Sequence, residues 1–353
     1  MSRFLQLHML TSYPPSNLNR DDLGRPKTAR MGGTERLRVS SQSLKRNWRV
    51  SDIFQAALGQ HLGTRTKRLG LEVYQDLITN GVSEKNAKTW AQSIASQFGK
   101  LKGSDSANPL ADLEIEQLVH VSPIERKAVD HLVSTITLEK RPPGEGELNL
   151  LRADDMAADI ALFGRMLASK PGFNVEAACQ VAHAISVHSV VIEDDYFTAV
   201  DDLNTHEEDA GAAHIGETGF AAGLFYSYIC INRELLIDNL NGDTALASKA
   251  IQALIETAMK IAPKGKQNSF GSLAYASYAR AEKGNQQPRS LSVAFLKAVD
   301  KNSEDFAATA IESLERHAAN FDKVYGACAD ETYSVNVFTG EGSLEALIAF
   351  AGK

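Results

Sequence analysis

The chain has 353 residues, of which 43% are hydrophobic and 23% charged, so it can build the core of one large domain or two ordinary ones. It has no apolar run of about 18 residues, and its N-terminus lacks the basic region and long apolar stretch of a secretory signal. These features predict a soluble cytoplasmic protein. Cys179, Cys230 and Cys328 form no C-x-x-C pair, so we expect three buried thiols and neither disulfides nor a zinc knuckle.

Positive charge is concentrated in the first part of this acidic chain. The net charge is −7, yet residues 1–50 carry ten Lys or Arg against three acidic residues, a balance of +7 that leaves −14 for the rest. A protein that bound nucleic acid over its whole surface would be basic throughout. The asymmetry indicates one polyanion-binding surface, although a solvated basic face explains the composition alone equally well.

The first predicted elements surround a long loop. Residues 4–10, FLQLHML, alternate as in a strand, and the two prolines of TSYPPSNLN are predicted to end it. A loop as long as the one that follows is usually functional or disordered. ERLRVS comes next as a half-exposed strand, with Arg36 and Arg38 on one side, and Ser40 or Ser41 is the predicted cap of a helix.

Helical and extended patterns alternate through the rest of the chain. Residues 51–150 have mostly helical periodicity and are predicted to be an insertion. DIALFGRM, residues 159–166, alternates like a strand, and VEAACQVAHAI after it has helical spacing. A β-hairpin with an acidic middle returns as a strand at 224–231. Three amphipathic helices follow, near residues 244–262, 291–300 and 304–320.

This order of elements predicts an α+β fold of the ferredoxin-like or RNA-recognition kind. In such a fold one sheet carries helices on one face. The helical region and the acidic hairpin are then two large insertions into it.

One face of the helix predicted after Ser40 is cationic. Gln42, Lys45, Arg46 and Arg49 fall at i, i+3, i+4 and i+7, which places them in one stripe. Backbone N–H groups and serine hydroxyls at the helix start would add a site for a phosphate. The basic residues of the preceding loop are Arg20, Arg25, Lys27 and Arg30. The pattern predicts a groove that holds a nucleic-acid backbone by its phosphates, and a merely solvated basic face is the alternative.

Recognition of bases is predicted to be weak, because no strand matches the aromatic pattern of RNA-recognition sheets. On a strand, Phe163 and Met166 would face opposite sides, so one would pack inward and the other would be able to contact a base. Core packing of Met166 is at least as good an interpretation. Tyr196 and Phe197 lie in the acidic hairpin, where they would suit an apolar wedge between bases.

Two acidic groups permit a catalytic interpretation. The segment HEEDAGAAH, residues 206–214, is rich in metal ligands, but its spacing matches no hydrolase pattern, and we favour a solvated loop. Asp21 and Asp22, beside Arg20, would be able to hold a divalent ion near a phosphodiester. One acidic pair supplies few ligands, and the chain has no P-loop, nucleophile elbow or H-E-x-x-H helix. We expect no catalytic activity and no cofactor.

Five motifs together resemble a known family. They are LNRDD at 18–22, RVSSQSLKR at 38–46, DIALFGRM at 159–166, VAHAISVH at 181–188 and YFTAVDDL at 196–203. In order and spacing they look like the CasC backbone subunits of type I-E CRISPR Cascade complexes, which belong to Cas family seven. The resemblance covers most of the chain and is looser over residues 51–150 and the C-terminal third.

The resemblance implies a hand-shaped protein with a modified RNA-recognition palm, helical fingers and a β-hairpin thumb. The implied divisions are palm at 1–50, fingers at 51–150, palm at 151–189, thumb at 190–223, and palm with C-terminal helices at 224–353. In the family, copies stack head to tail along the CRISPR RNA (crRNA). Each thumb displaces a nucleotide at a regular interval, and the guide segments between are presented to target DNA.

Site residues follow from the same resemblance. Those implied to hold guide phosphates are Arg20, Lys27, Ser40, Gln42, Lys45, Arg46 and Arg49. Met166 would contact the guide from the palm, and Phe197 with Thr198 would wedge at the kink. Lys264 and Lys266 are further candidates where the match is looser.

The resemblance also implies the partners. They are crRNA, target DNA through the guide, neighbouring copies of the chain, and the large, small, guide-end cap and repeat-processing endoribonuclease subunits of Cascade, with no membrane. Many relatives have tryptophan where this chain has Tyr196, which changes the size of the wedge. An antiviral RNA scaffold of this kind needs no catalytic residue. The alternative is a metal-dependent backbone ribonuclease that uses Asp21 or Asp22.

Overall fold

The computed structural model describes residues 2–153, 157–199, 214–300 and 302–353. The chain forms two compact units. Unit 1 comprises Met1–Phe54, Val181–Cys230 and Ile251–Lys353, and unit 2 comprises Gln55–Gln180 and Ile231–Ala250. Within the described ranges, no helix combines the length and the hydropathy that a membrane span requires.

Strands and helices are mixed along the chain. The strands are β1 Phe4–Ser16, β2 Thr28–Met31, β3 Thr34–Val39, β4 Thr64–Thr66, β5 Val119–Val121, β6 Cys179–Val181, β7 Ala184–Ser186, β8 Glu193–Ala199, β9 His214–Asn232, β10 Tyr278–Gly284 and β11 Glu331–Asn336. The helices are α1 Ser41–Arg49, α2 Asp52–Leu58, α3 Leu69–Thr79, α4 Glu84–Ala95, α5 Pro123–Glu139, α6 Ala158–Phe163, α7 Arg233–Asn239, α8 Thr244–Lys260, α9 Gln267–Phe270, α10 Phe306–Tyr325 and α11 Leu344–Gly352.

Unit 1 is built on a sheet with the strand order β11-β10-β1-β9-β7-β3-β2. β1 and β10 pair antiparallel from Phe4 opposite Gly284 to Leu10 opposite Tyr278. Buried side chains from β1, β9 and α10, among them Leu10, Tyr226 and Leu314, share one hydrophobic cluster. The mixed architecture of antiparallel sheet and helices confirms the predicted combination of α and β structure.

The long N-terminal loop is shorter than predicted. β1 continues through Pro14 and Pro15, because its pairing with β10 ends at Leu10 and a proline there costs no hydrogen bond to that strand. β2 and β3 form a hairpin whose two-residue turn is Gly32 and Gly33, with φ of 59° and 80°. Only glycine adopts two successive positive φ values at little cost, so this pair ends the loop.

The strand predicted at 159–166 is wrong. Residues 158–163 form α6, and Gly164, with φ of 79°, ends it. All of Ala158–Leu162 is buried, and a helix that is buried all round has no polar face to reveal its period. Asp159 is held inside by Gly63 N–H and by His120 Nε2, each at 2.9 Å from a carboxylate oxygen.

The helix predicted in VEAACQVAHAI is also wrong. The segment forms β6 and β7, and β7 lies between β3 and β9 in the sheet. Ile185 is paired with Arg38 on one side and Tyr226 on the other. Alanine favours helices, but the small side chains of Ala184 and Ser186 are buried between two strands, and this tertiary setting overrides the propensity.

The prediction that β3 exposes both Arg36 and Arg38 is wrong at Arg36. Its side chain is fully buried. Nη1 donates to the Ser186 carbonyl and Nη2 to the Phe295 carbonyl, both at 3.0 Å, while Nε donates to Thr34 Oγ1 at 2.8 Å. A buried charge needs such partners, so Arg36 is structural, and only Arg38 of the two is partly accessible.

The acidic hairpin and two of the three C-terminal helices form, but the return strand of the hairpin begins at His214 rather than at the predicted Leu224. β8 and β9 pair antiparallel from Glu193 opposite Phe220 to Ala199 opposite His214, and the side chains of the candidate metal segment at 206–214 lie outside the described residues. α8 and α10 match their predictions, whereas 291–300 yields one 3-10 turn at Ser292–Phe295. The chain leaves helical geometry there because Val299 N–H donates to the Val187 carbonyl.

Unit 2 has its own core, made mostly by α3, α4 and α5. Inside it, Arg165 Nη1 lies 2.8 Å from Glu125 Oε2, and both side chains are buried. Glu125 also closes a capping box with Ser122 at the start of α5, so one carboxylate fixes both a helix terminus and the chain after α6. The three cysteines are buried free thiols, as predicted.

Candidate nucleic-acid interface

α1 forms where the sequence predicts it. Ser40 is its N-cap, with φ −68° and ψ 145°, and Ser40 Oγ accepts from Ser43 N–H at 3.3 Å. Leu44 and Trp48 are buried and hold the helix to unit 1. The four residues of the cationic stripe are more accessible than these two: Gln42 and Arg46 are exposed, and Lys45 and Arg49 are half-buried.

Asn19 ties the N-terminal loop to the start of α1. Its Oδ1 accepts from Ser40 N–H at 2.9 Å, and its carbonyl accepts from Lys27 N–H at 2.8 Å. The Lys27 carbonyl in turn accepts from Arg38 N–H at 2.8 Å. Exposed Arg20 follows Asn19 directly and is bridged to Pro26. These bonds place Lys27 and Arg20 beside the junction of β3 and α1.

A second basic loop, which contains Lys264 and Lys266, contacts α1 although it lies far from the helix in the sequence. Lys264 N–H donates to Asn47 Oδ1 at 3.3 Å, and Asn47 Nδ2 donates to the Ser43 carbonyl within α1 at 2.8 Å. Lys266 Nζ donates to Thr218 Oγ1 on β9 at 2.7 Å. The loop therefore links α1 to the base of the hairpin, and it places the exposed Lys264 next to the stripe.

The hairpin presents its aromatic residues to solvent. Tyr196 is 65% exposed and Phe197 43% exposed, and Thr198 is exposed as well. Phe197 is paired with Gly216 on β9, and a Cβ at Gly216 would come within 2.3 Å of the Phe197 ring. The missing side chain at Gly216 leaves room for this ring, which lies across the neighbouring strand.

The N-terminal loop contacts the hairpin through its tip. Arg25 Nη2 lies 3.0 Å from Asp194 Oδ1 on β8, and both side chains are more than 40% exposed. Asp21 Oδ1 accepts from the N–H groups of Leu23 and Arg25 at 3.0 and 2.9 Å, so this carboxylate shapes the turn. No cluster of three or more His, Cys, Asp or Glu suited to a metal ion occurs among the described residues.

Arg38 and His183 belong to this surface, although the sequence patterns did not single them out. Arg38 Nη1 lies 3.0 Å from His183 Nδ1, and His183 is exposed. Burial, with Arg38 and then Lys27 nearby, lowers the pKa of His183 from its usual value. The segment VAHAISVH would have indicated His183 if it had been interpreted as a strand. The helix interpretation did not predict the pairing of β7 with β3 that brings His183 close to Arg38.

Met166 is the one predicted site residue that belongs to unit 2. It is 75% exposed and follows α6 rather than lying on a strand. With Phe98, Leu118 and Leu167 it lines a cavity of about 270 Å³. The other predicted site residues all belong to unit 1.

The geometry of unit 1 defines a class of surface. One helical stripe, two basic loops and a hairpin with accessible aromatic rings meet on one antiparallel sheet. Exposed and half-buried cations along one helix face match the regular charge of a polyanion, and exposed aromatic rings match planar bases. The arrangement has the chemistry of a protein that binds single-stranded nucleic acid.

Comparison with known proteins agrees with this class. The sequence model of the CT1975-like protein family matches residues 5–347, so the chain belongs to that family. It is also similar to a chain of a CRISPR RNA-guided surveillance complex in a pre-nicking state, with 29% identity, a TM-score of 0.84, and 99% of this chain and 100% of that chain covered. No curated protein matches it.

A second solved chain comes from another CRISPR RNA-guided surveillance complex. It has a TM-score of 0.73 at 24% identity, over 99% of this chain and 100% of that one, which establishes a shared fold. The family and these similarities confirm the predicted relationship to subunits of CRISPR surveillance complexes. The assignment to type I-E stays a prediction.

Proposed function

We propose that the chain is a non-catalytic, guide-RNA-binding backbone subunit of a type I-E CRISPR Cascade surveillance complex. The observation that carries this proposal is the continuity of the surface around α1. Asn19 and Lys264 bring two basic loops, which are distant in sequence, against the same helix. A surveillance complex that is guided by RNA must hold that RNA, and the family and structural similarity support such a role here.

In this proposal the sheet of unit 1 is a modified RNA-recognition palm, residues 51–150 are the fingers and the β8–β9 hairpin is the thumb. The palm holds the crRNA through its phosphates with Arg20, Lys27, Ser40, Gln42, Lys45, Arg46, Arg49, Lys264 and Lys266. Phe197 and Thr198 wedge at a kink in the guide, and Met166 contacts it. Because the contacts are to phosphates, one surface serves any guide sequence.

Specificity then comes from base pairing between the guide and target DNA, while the protein supplies a charged track that sets the shape of the guide. Copies stack head to tail in the cytoplasm, because a heterologous contact that does not close forms an open helical filament. The large, small, cap and endoribonuclease subunits complete the complex for antiviral defence.

A gel experiment tests the proposal. The purified chain is mixed with a long, end-labelled single-stranded RNA, with and without magnesium, and run on native and denaturing gels. A ladder of shifted species on the native gel with intact RNA on the denaturing gel is the expected result. Absence of any shift at low salt would overturn the proposal.

The same gel separates a scaffold from a ribonuclease. Asp21→Asn with Asp22→Asn removes both candidate carboxylates, and the amide introduced at position 21 keeps an oxygen for the turn made with Leu23 and Arg25. A scaffold should give the same native ladder with and without the substitutions. Magnesium-dependent RNA fragments that disappear in the double variant would instead establish the nuclease alternative.

A further inference from the structure

His183 stands at the edge where β7 meets the start of α1. β3 and β7 pair antiparallel with Arg38 opposite Ile185 and Val39 opposite Ala184. One position further along this register, His183 falls opposite Ser40, the N-cap of α1. His183 is exposed, and this register places it beside the cap of the helix that carries the cationic stripe.

The contact with Arg38 fixes which imidazole nitrogen is free to donate. A guanidinium has only donors, so at 3.0 Å the Arg38 Nη1 donates to His183 Nδ1, which must accept. Neutral His183 then carries its proton on Nε2. If Nδ1 is protonated as well, it repels Arg38, and both groups have a donor available for the same third partner.

The charged groups that shift the pKa of His183 are two cations. They are Arg38 from β3 and Lys27 from the loop before β2. Lys27 is fixed there because its carbonyl accepts from Arg38 N–H at 2.8 Å. Neither of these groups is an anion, so neither balances a positive charge on His183. A phosphodiester is an anion and accepts from several donors at once.

We propose that His183 and Arg38 together hold one phosphodiester group of the bound RNA, and that His183 takes up a proton as that group binds. This inference rests on the proposed function, and adds to it a residue and a pH dependence. The phosphate replaces the Arg38 to His183 hydrogen bond by two charge-assisted bonds, one from each side chain. RNA binding and protonation of His183 then favour each other by the same factor.

The direction of the pH effect follows from the two states. In the free protein, burial and then the cations Arg38 and Lys27 lower the pKa of His183. A bound phosphate screens those cations and raises the pKa of His183. The complex therefore binds more protons than the free protein near neutral pH, and RNA affinity rises as the pH falls. A difference of one pKa unit corresponds to about a tenfold change in affinity.

Three variants test the inference. His183→Gln keeps a neutral hydrogen-bonding group, and His183→Lys carries a charge at every pH used. His131→Gln is the matched control, because His131 is another exposed histidine, on α5, outside this surface. Fluorescence anisotropy with a labelled oligouridine gives the dissociation constant from about pH 8 to about pH 5.5, a range in which uridine does not titrate and histidine does.

We expect the affinity of the unaltered protein and of His131→Gln to rise about three- to tenfold on acidification. His183→Gln should lose most of that rise, and His183→Lys should bind tightly at both ends of the range. An equal pH dependence in His183→Gln would overturn the inference and leave the proposed function intact. Absence of oligouridine binding by the unaltered protein at every pH would instead overturn the proposed function.

Proton NMR supplies a second readout that does not depend on affinity. The imidazole resonance missing from His183→Gln assigns His183, and its titration is followed with and without oligouridine. We expect the pKa of His183 to rise when RNA is present. A titration that RNA leaves unchanged would contradict the proton uptake even if RNA binds.

Discussion

Glu282, on β10, lies at the centre of a group of buried charged side chains in unit 1. Its carboxylate is buried and accepts from Arg280 Nε at 2.8 Å and from Arg289 Nη1 at 2.5 Å, and His8 Nε2 lies 3.7 Å away. Burial alone would raise the pKa of Glu282, but His8, Arg289 and Arg280 favour its charged form and hold the pKa well below the usual range. One carboxylate therefore stabilises two arginines that the sheet has withdrawn from water.

Glu282→Gln should destabilise the protein at neutral pH by about 3 kcal/mol, because Arg280 and Arg289 each lose a charge-assisted hydrogen bond to a buried carboxylate and keep only the partly exposed Glu315 and Asp322. The pH dependence has a definite sign. A carboxylate with a lowered pKa contributes stability that is present above its unfolded value near 4.5 and is lost as the pH falls through the folded value. The unaltered protein should lose this stability below about pH 4.5, and the variant should lack that component. Urea unfolding followed by circular dichroism measures both effects.

Glu331→Gln is the matched control for that experiment. Glu331 lies on the neighbouring strand β11 and pairs with Lys283 at 3.3 Å, but its side chain is 60% exposed. Lys283 is buried, but its Nζ also lies over the Phe350 ring, 4.4 Å from the centroid, so loss of this half-exposed ion pair should cost only about 1 kcal/mol. Equal losses in the two variants would show that burial does not set the strength of the Glu282 interactions.

Single residues also mark the limit of what the sequence predicts. Alternation along β3 correctly placed Arg36 and Arg38 on one side, opposite Leu37 and Val39. It did not distinguish their roles, because the two arginines differ only in the segments that pack against their side chains. The Phe295 and Ser186 carbonyls meet Arg36, and these partners come from segments about 150 and 260 residues away.

At the scale of elements, α1 joins the basic loops into one surface. The combined variant Lys45→Glu, Arg46→Glu and Arg49→Glu should weaken single-stranded RNA binding and flatten its dependence on salt. Each phosphate contact contributes about −0.7 to the slope of log affinity against log salt on a single strand, so three lost contacts reduce it by about 2. Filter binding over a range of salt concentrations measures the slope.

Unit 1 offers a control with the same change in charge. Lys297, Arg316 and Lys323 are exposed cations outside the surface around α1, two of them on α10. Their replacement by Glu changes the net charge equally, so it should lower the affinity slightly and leave the slope unchanged. An unchanged slope in the α1 variant, or an equal change in both, would reject binding of phosphates by the stripe.

The hairpin carries a separate prediction. Phe197→Ala should remove the ring that lies over Gly216 and cost about 1–3 kcal/mol of binding per stacked base. Its particular effect should be on RNA shape, because the proposed wedge unstacks a base at intervals. A set of RNAs is made, each with the fluorescent base 2-aminopurine at a different position. The 2-aminopurine fluorescence should rise at regularly spaced positions when the unaltered protein binds and should stay low with the variant. An identical brightening pattern would remove Phe197 from the wedge.

The elements that the sequence misassigned share one physical cause. α6 is buried on every side and β7 is buried between two strands, so neither displays the polar face from which a period is recognised. α1, β3 and the β8–β9 hairpin are each partly exposed, and their positions were predicted, although the burial of Arg36 on β3 was not. The cationic stripe of α1 was visible in the sequence pattern for the same reason, whereas Lys264, Lys266 and Met166 came from the family resemblance and His183 depends on the pairing of β7.

At the scale of the whole molecule, charge is divided in a way that suits polymerisation on RNA. Residues 1–50 carry +7 and the rest of the chain −14. Copies in free solution therefore repel one another through their net charge of −7, while RNA phosphates are attracted to the basic surface of each copy. One RNA strand that binds several copies holds them at a high local concentration, which offsets this repulsion, so we expect assembly to require RNA.

The mass of the assembly should then rise in steps of one chain, 38.3 kDa, as the RNA is lengthened. Analytical ultracentrifugation of the chain with oligouridines of increasing length measures this, because oligouridine lacks secondary structure that would alter the spacing. The chain alone should sediment as a monomer, and the Lys45, Arg46 and Arg49 variant should stay monomeric with RNA. A complex of constant mass on every length would contradict stacking along the guide, whereas filaments without RNA would show that self-association does not depend on RNA.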